Sequence, residues 1–63
     1  MKRQKLIKHL NKHNCILLLE GANHSIYQNL KSKEQSAVGR HNELSELLCN
    51  KVCKQLKIPH VSK

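Results

Sequence analysis

The pattern of apolar and polar residues predicts a small α+β domain of order α-β-β-β-α: a helix, three short antiparallel strands and a second helix. Three observations carry that prediction. Apolar residues recur at helical spacing near both ends of the chain, a run of consecutive aliphatic residues opens the middle third, and two polar segments cut the remainder into strand-length pieces.

The first helix is expected over Lys2 to Asn14. Leu6, Ile7 and Leu10 fall at i, i+1 and i+4 with Lys5, Lys8, Asn11 and Lys12 between them, giving one narrow apolar stripe on a basic helix. Asn14 is suited to end it in the left-handed conformation. The run Cys15-Ile16-Leu17-Leu18-Leu19-Glu20 reads as the first strand. Because it is continuous rather than alternating, helices are expected on one of its faces and at least partial cover on the other.

Gly21 to Asn23 form the following turn, where Gly21 would supply a positive φ and Asn23 would tolerate one. The second strand runs from His24 to about Leu30. Ile26, Gln28 and Leu30 share one of its faces, and Ser25, Tyr27 and Asn29 the other. The same period places His24 beside Ile26, so a bulge or the turn itself has to aim the imidazole outward. Lys31 to Glu34 make a hairpin loop, and Gln35 to Val38 a third strand that ends at Gly39, where the chain can turn sharply. Asn42 is the expected N-cap of the second helix, with Glu43 and Glu46 in its first turn. Leu44, Leu47, Leu48, Val52 and Leu56 form its apolar face, Lys51, Lys54 and Lys57 occupy its later turns, and Pro59 closes it.

Sixty-three residues make one domain, 1–63. A chain of this length buries only about 60% of the surface its unfolded form exposes. With no Phe or Trp and a single Tyr, the core must be aliphatic. Twelve Lys and Arg against four Glu and no Asp give a formal charge of +8, which points to a polyanionic partner, nucleic acid first. Single-strand binders stack bases on aromatic side chains, of which this chain has only Tyr27, so the phosphates and riboses of a duplex or hairpin RNA are the better match. The plain alternative is a solvated basic surface.

Three cysteines, no secretory signal and no apolar run near the roughly 18 residues of a membrane span indicate a reduced, cytoplasmic protein with free thiols. Cys49 and Cys53 read as small buried hydrophobes on the second helix. His9 and His13 share a helical face, but two ligands do not make a metal site. Without Asp, and with four scattered Glu, a two-metal nuclease centre has no ligands. No metal or cofactor is expected.

The stretch Gly21-Ala22-Asn23-His24-Ser25-Ile26-Tyr27-Gln28-Asn29 is the candidate site. It places a histidine, the side chain suited to proton transfer near neutrality, just past a turn and among short polar groups. With Leu6-Ile7 and Leu10, with Val38-Gly39-Arg40-His41-Asn42-Glu43-Leu44 and with Val52-Cys53-Lys54-Gln55-Leu56-Lys57-Ile58-Pro59, it resembles the HicA family of toxins over nearly the whole chain.

The resemblance implies a dsRBD-like fold, a three-stranded antiparallel sheet with two helices packed on one face. It also implies a type II toxin that cleaves mRNA without a metal and is neutralised by a HicB-like antitoxin, with DNA contacted, if at all, only through that complex. By position His24 would be catalytic, and Gly21, Asn23, Ser25, Tyr27, Arg40 and His41 would bind substrate around it. Three positions depart from the family pattern: Ala22 where serine is common, Gly39 where proline usually stands, and Lys57 where glycine often ends the helix.

Metal-free RNA cleavage uses the 2′-hydroxyl as nucleophile, so the protein must accept its proton, hold it in line with the leaving oxygen and stabilise charge on the phosphoryl group. His24 suits the general base or acid and nearby cations the electrostatic part. The opposite proton transfer calls for a second histidine, for which His41 is the one candidate close to a strand end, its reach to the site being set by the fold and not by the sequence. Two other functions use the same charge. One is a non-catalytic double-stranded RNA-binding module, and the other an adaptor that docks an acidic protein.

Overall fold

A computed structural model of the chain describes residues 1–61. The first helix, α1, spans Arg3–Lys12. Strands β1 (Cys15–Glu20), β2 (His24–Asn29) and β3 (Gln35–Gly39) follow, and α2 (Glu46–Gln55) is the second helix. The strands form one antiparallel sheet of order β1-β2-β3, with both helices against one face. Extents of 28 × 27 × 16 Å fit this two-layer arrangement, which leaves the other face of the sheet open.

Leu6 and Leu10 of α1 meet Cys15, Tyr27 and Val38 of the sheet and Leu44, Cys49, Val52, Cys53 and Leu56 of the α2 region in a single core. Asn14 follows the end of α1 with a φ of 65°, and its N–H donates to the Asn11 carbonyl at 3.2 Å, so the left-handed termination is realised.

The start of α2 differs from the sequence expectation. Ser45, not Asn42, is the N-cap: its hydroxyl accepts from the Leu48 N–H at 3.1 Å, and only Glu46 lies in the first turn. Residues 42–44 are held against the chain start, with Glu43 bridged antiparallel to Lys2. Arg3 N–H donates to the Asn42 carbonyl at 2.8 Å, Leu44 N–H to the Met1 carbonyl at 2.8 Å, and the Met1 amino group to the Leu44 carbonyl at 2.9 Å. Glu43 pairs with Lys2 at 3.3 Å instead of capping. Long-range pairing thus overrides a good local cap. The buried stripe of α2 becomes Cys49, Val52, Cys53 and Leu56, while Leu48 is exposed and Leu47 is left 80% exposed.

The sheet reverses the expected faces. Its helix side carries Ser25, Tyr27 and Asn29 from β2 and Ser36 and Val38 from β3, all buried. The three polar members are each bonded to a helix region. Ser25 Oγ accepts from an Arg3 guanidinium nitrogen at 3.1 Å, Asn29 Nδ2 donates to the Leu56 carbonyl at 2.7 Å, and Ser36 Oγ donates to Gln55 Oε1 at 2.6 Å. Among the described residues no buried side-chain N or O lacks a partner.

The expected cover on both sides of the first strand is absent. β1 is an edge strand, Cys15 is its only buried residue, and Ile16, Leu17, Leu18 and Leu19 are exposed. Ile26 and His24 therefore share the open face, and no bulge in β2 is needed to turn the imidazole outward. The irregularity lies in β1, where the register shifts between Leu17 and Leu19.

Neither Gly21 nor Asn23 has a positive φ. Gly21 is instead favoured by close approach. Its N–H donates to the His24 carbonyl at 2.8 Å, and a Cβ there would lie 3.1 Å from that oxygen.

Lys57 adopts the left-handed conformation (φ 57°) directly after α2. Its N–H donates to the Lys54 carbonyl at 3.2 Å and the Ile58 N–H to the Cys53 carbonyl at 3.0 Å, which together make a Schellman motif. A residue with a Cβ is strained there. Lys57→Gly should therefore stabilise the protein by about 1 kcal/mol and raise Tm by roughly 4–8 °C in thermal unfolding, after a few tenths are subtracted for the exposed Glu34 pair.

Burial pushes the thiols of Cys15, Cys49 and Cys53 above the usual thiol range. A raised folded-state pKa adds stability below the unfolded value, and that stability is lost as pH climbs through the folded one. The folded protein should resist a thiol reagent at neutral pH, take up three equivalents on unfolding, and lose urea stability as pH rises past the ordinary thiol range.

Candidate functional site

His24 is the first residue of β2 and is exposed on the open face. Its cross-strand partner is Gly39, the last residue of β3. A glycine opposite leaves the imidazole uncovered. The β3–α2 connection then brings His41 back toward the same point, with its Cδ2 4.0 Å from where a Gly39 Cβ would stand.

Ala22, Asn23, His24, Gly39, Arg40 and His41 enclose a depression of about 310 Å³. His24 and His41, seventeen positions apart in sequence, thus line one space because the β2–β3 register sets Gly39 opposite His24 and the chain returns His41 beside that glycine. No hydrogen bond to either ring is present among the described residues, and both residues are exposed.

Arg40 is held at the rim. Its terminal nitrogen donates to the Gly21 carbonyl and lies 3.3 Å from Glu20 Oε1. The same Glu20 oxygen accepts from Ser25 Oγ, which in turn accepts from Arg3. Arg3 Nε also donates to the Gly39 carbonyl at 2.8 Å. Arg3, Ser25, Glu20 and Arg40 therefore form one chain of contacts from the start of α1, across the ends of all three strands, to the depression. Arg3 further lines a second hollow of about 450 Å³ with Lys2, Gln4 and Asn42. The Arg3–Gly39 bond links one residue that lines each hollow.

Of the residues selected from sequence, His24, Asn23, Arg40 and His41 are brought together, and Gly21 touches the group through its carbonyl. Ser25 and Tyr27 are placed elsewhere. Both face the helices, with Ser25 buried in the Arg3–Glu20 chain and Tyr27 in the core, so neither lines the depression.

Sequence reasoning did not find Arg3, Glu20 or the spatial role of Gly39. One signal for Arg3 was present: the chain has only two arginines against ten lysines, and a planar guanidinium fork is favoured where several acceptors must be held at once. The strands themselves contain no Lys or Arg, so Arg40 is the cation at the imidazole and Lys2 and Arg3 are those of the adjoining hollow.

The chain matches no protein-family model, no curated protein and no solved structure.

Ser25→Ala removes the group that joins Arg3 to Glu20 and leaves a partly buried guanidinium nitrogen short of an acceptor. It should destabilise the fold by about 1–3 kcal/mol in urea titration, with His24 untouched.

Proposed function

We propose that this protein is a metal-independent endoribonuclease acting on mRNA or other structured RNA, the toxin of a toxin–antitoxin pair held inactive by a HicB-like antitoxin over His24. The observation that carries the reading is the pairing of His24 and His41 around one open depression with Arg40 at its rim. Two imidazoles lining one open depression are the minimum needed to take a proton at one oxygen and return one at another.

In this mechanism one histidine accepts the proton of the ribose 2′-hydroxyl as O2′ bonds to phosphorus. The bond from phosphorus to the 5′-oxygen breaks, and the other histidine, protonated, gives its proton to that oxygen. The products are a 2′,3′-cyclic phosphate and a 5′-hydroxyl. Arg40, oriented by Glu20 and the Gly21 carbonyl, stabilises charge on the non-bridging oxygens. The hollow lined by Lys2, Arg3, Gln4 and Asn42 continues the cationic track along the RNA backbone.

Purified protein incubated with structured RNA in chelator should yield cyclic-phosphate ends. His24→Ala and His41→Ala should each lower the rate about 10²–10⁴-fold while circular dichroism stays unchanged, and the parent should show a bell-shaped pH–rate profile. RNA retained without cleavage by the parent would identify a non-catalytic RNA-binding module instead. A His24→Ala variant that still cleaves RNA would remove that residue from the reaction.

A further inference from the structure

The exposed β1 edge of the sheet plays no part in the histidine depression. Ile16, Leu17, Leu18 and Leu19 follow one another along β1, and the exposure of Leu19 reaches 62%. β1 is outermost in the sheet, and among the described residues its stretch 16–19 makes no backbone hydrogen bond outside the pairing with β2. Edge strands are normally blunted by lysine or proline, and β1 has neither; the register shift at Leu18 is its sole irregularity. A row of free main-chain groups flanked by aliphatic side chains is a template for another strand.

We propose that this edge pairs with β1 of a second copy of the chain, antiparallel about a twofold axis, to give a six-stranded sheet. The distribution of charge selects that occupant. Residues 13–30 form the longest stretch without Lys or Arg, although twelve such residues are spread over the rest of the chain. An acidic partner would find no cations along β1 to meet its carboxylates, and RNA would find neither cations nor aromatic rings. A second β1 is neutral and aliphatic along the same length. Its one ionised residue, Glu20, is already matched by Arg40 within its own chain. Pairing through a twofold is also self-limiting at this edge, since both β1 strands are used up in the dimer and only β3 stays outermost.

Two consequences follow from the geometry. A twofold perpendicular to the sheet keeps both helix layers on one side, so both histidine depressions lie on the same open face. It also brings the two α1 helices nearer, with their Lys5, Lys8 and Lys12, so screening by salt should strengthen the dimer. Four half-exposed aliphatic side chains per copy and one strand pairing fall short of the roughly 1,200 Å² of a stable interface, which makes the association weak.

Sedimentation equilibrium of the intact chain between about 10 µM and 1 mM tests this, since weak interfaces populate in that range. The mean mass should rise from the protomer's 7.3 kDa and level off at twice that value, at lower concentration when salt is added. Leu18→Lys should stay monomeric at every concentration with unchanged circular dichroism. In the parent, exchange of amide hydrogens in β1 should slow as concentration rises, a readout that needs no variant. A protomer mass throughout would overturn the proposal and leave the edge to a different chain. Growth beyond the dimer without a plateau, or a Leu18→Lys variant as dimeric as the parent, would overturn it equally.

Discussion

Three polar side chains on the inward face of the sheet dictate the rest of the architecture. Ser25, Asn29 and Ser36 are buried, and a buried hydroxyl or amide left without a partner costs about 1–3 kcal/mol. Each finds its partner on or beside a helix: Arg3 at the start of α1, Gln55 in the last turn of α2, and the Leu56 carbonyl just after it. Nonspecific apolar contact allows a helix to slide over a sheet, whereas these bonds fix its position. Once the helices are pinned to this face, the opposite face, with His24 and Ile26, has to remain open.

The candidate site inherits its shape from that arrangement. Arg3 belongs to the hydrogen bonds that seat α1, yet it also holds the Gly39 carbonyl and, through Ser25, the carboxylate that orients Arg40. Folding and site assembly are therefore served by the same side chains. The exposed ion pair between Glu20 and Arg40 contributes little to stability, at most about 1 kcal/mol. Its significance is geometric, because it sets where a cation stands relative to two imidazoles.

Much of this organisation was legible in the sequence, and the remainder was hidden for identifiable reasons. Strand limits at Cys15, Glu20, His24 and Gln35 followed from composition and turn residues, and Asn14 ended α1 as its type suggests. The covered face of the sheet could not be read from hydrophobicity, because the inward positions of β2 and β3 are partly polar while Ile16 to Leu19 lie outside. A binary pattern ranks residues by their own polarity and is blind to a partner dozens of positions away. The cap of α2 was missed for the same reason: Asn42 is a good N-cap, but its carbonyl is taken by Arg3. At the site, the turn histidine was visible from its surroundings, whereas the convergence of His41 depended on a strand register that only the fold supplies.

Arg40 touches both the Glu20 carboxylate and the Gly21 carbonyl through the same terminal nitrogen. A guanidinium has five N–H donors in a rigid plane, so fastening one corner fixes the plane while donors remain for a ligand. For an anion brought to this rim, fit would be a matter of angle as well as charge. A flexible ammonium would preserve the electrostatics but forfeit the alignment, and an anion whose oxygens do not fit that plane would be discriminated against even where the overall positive potential attracts it.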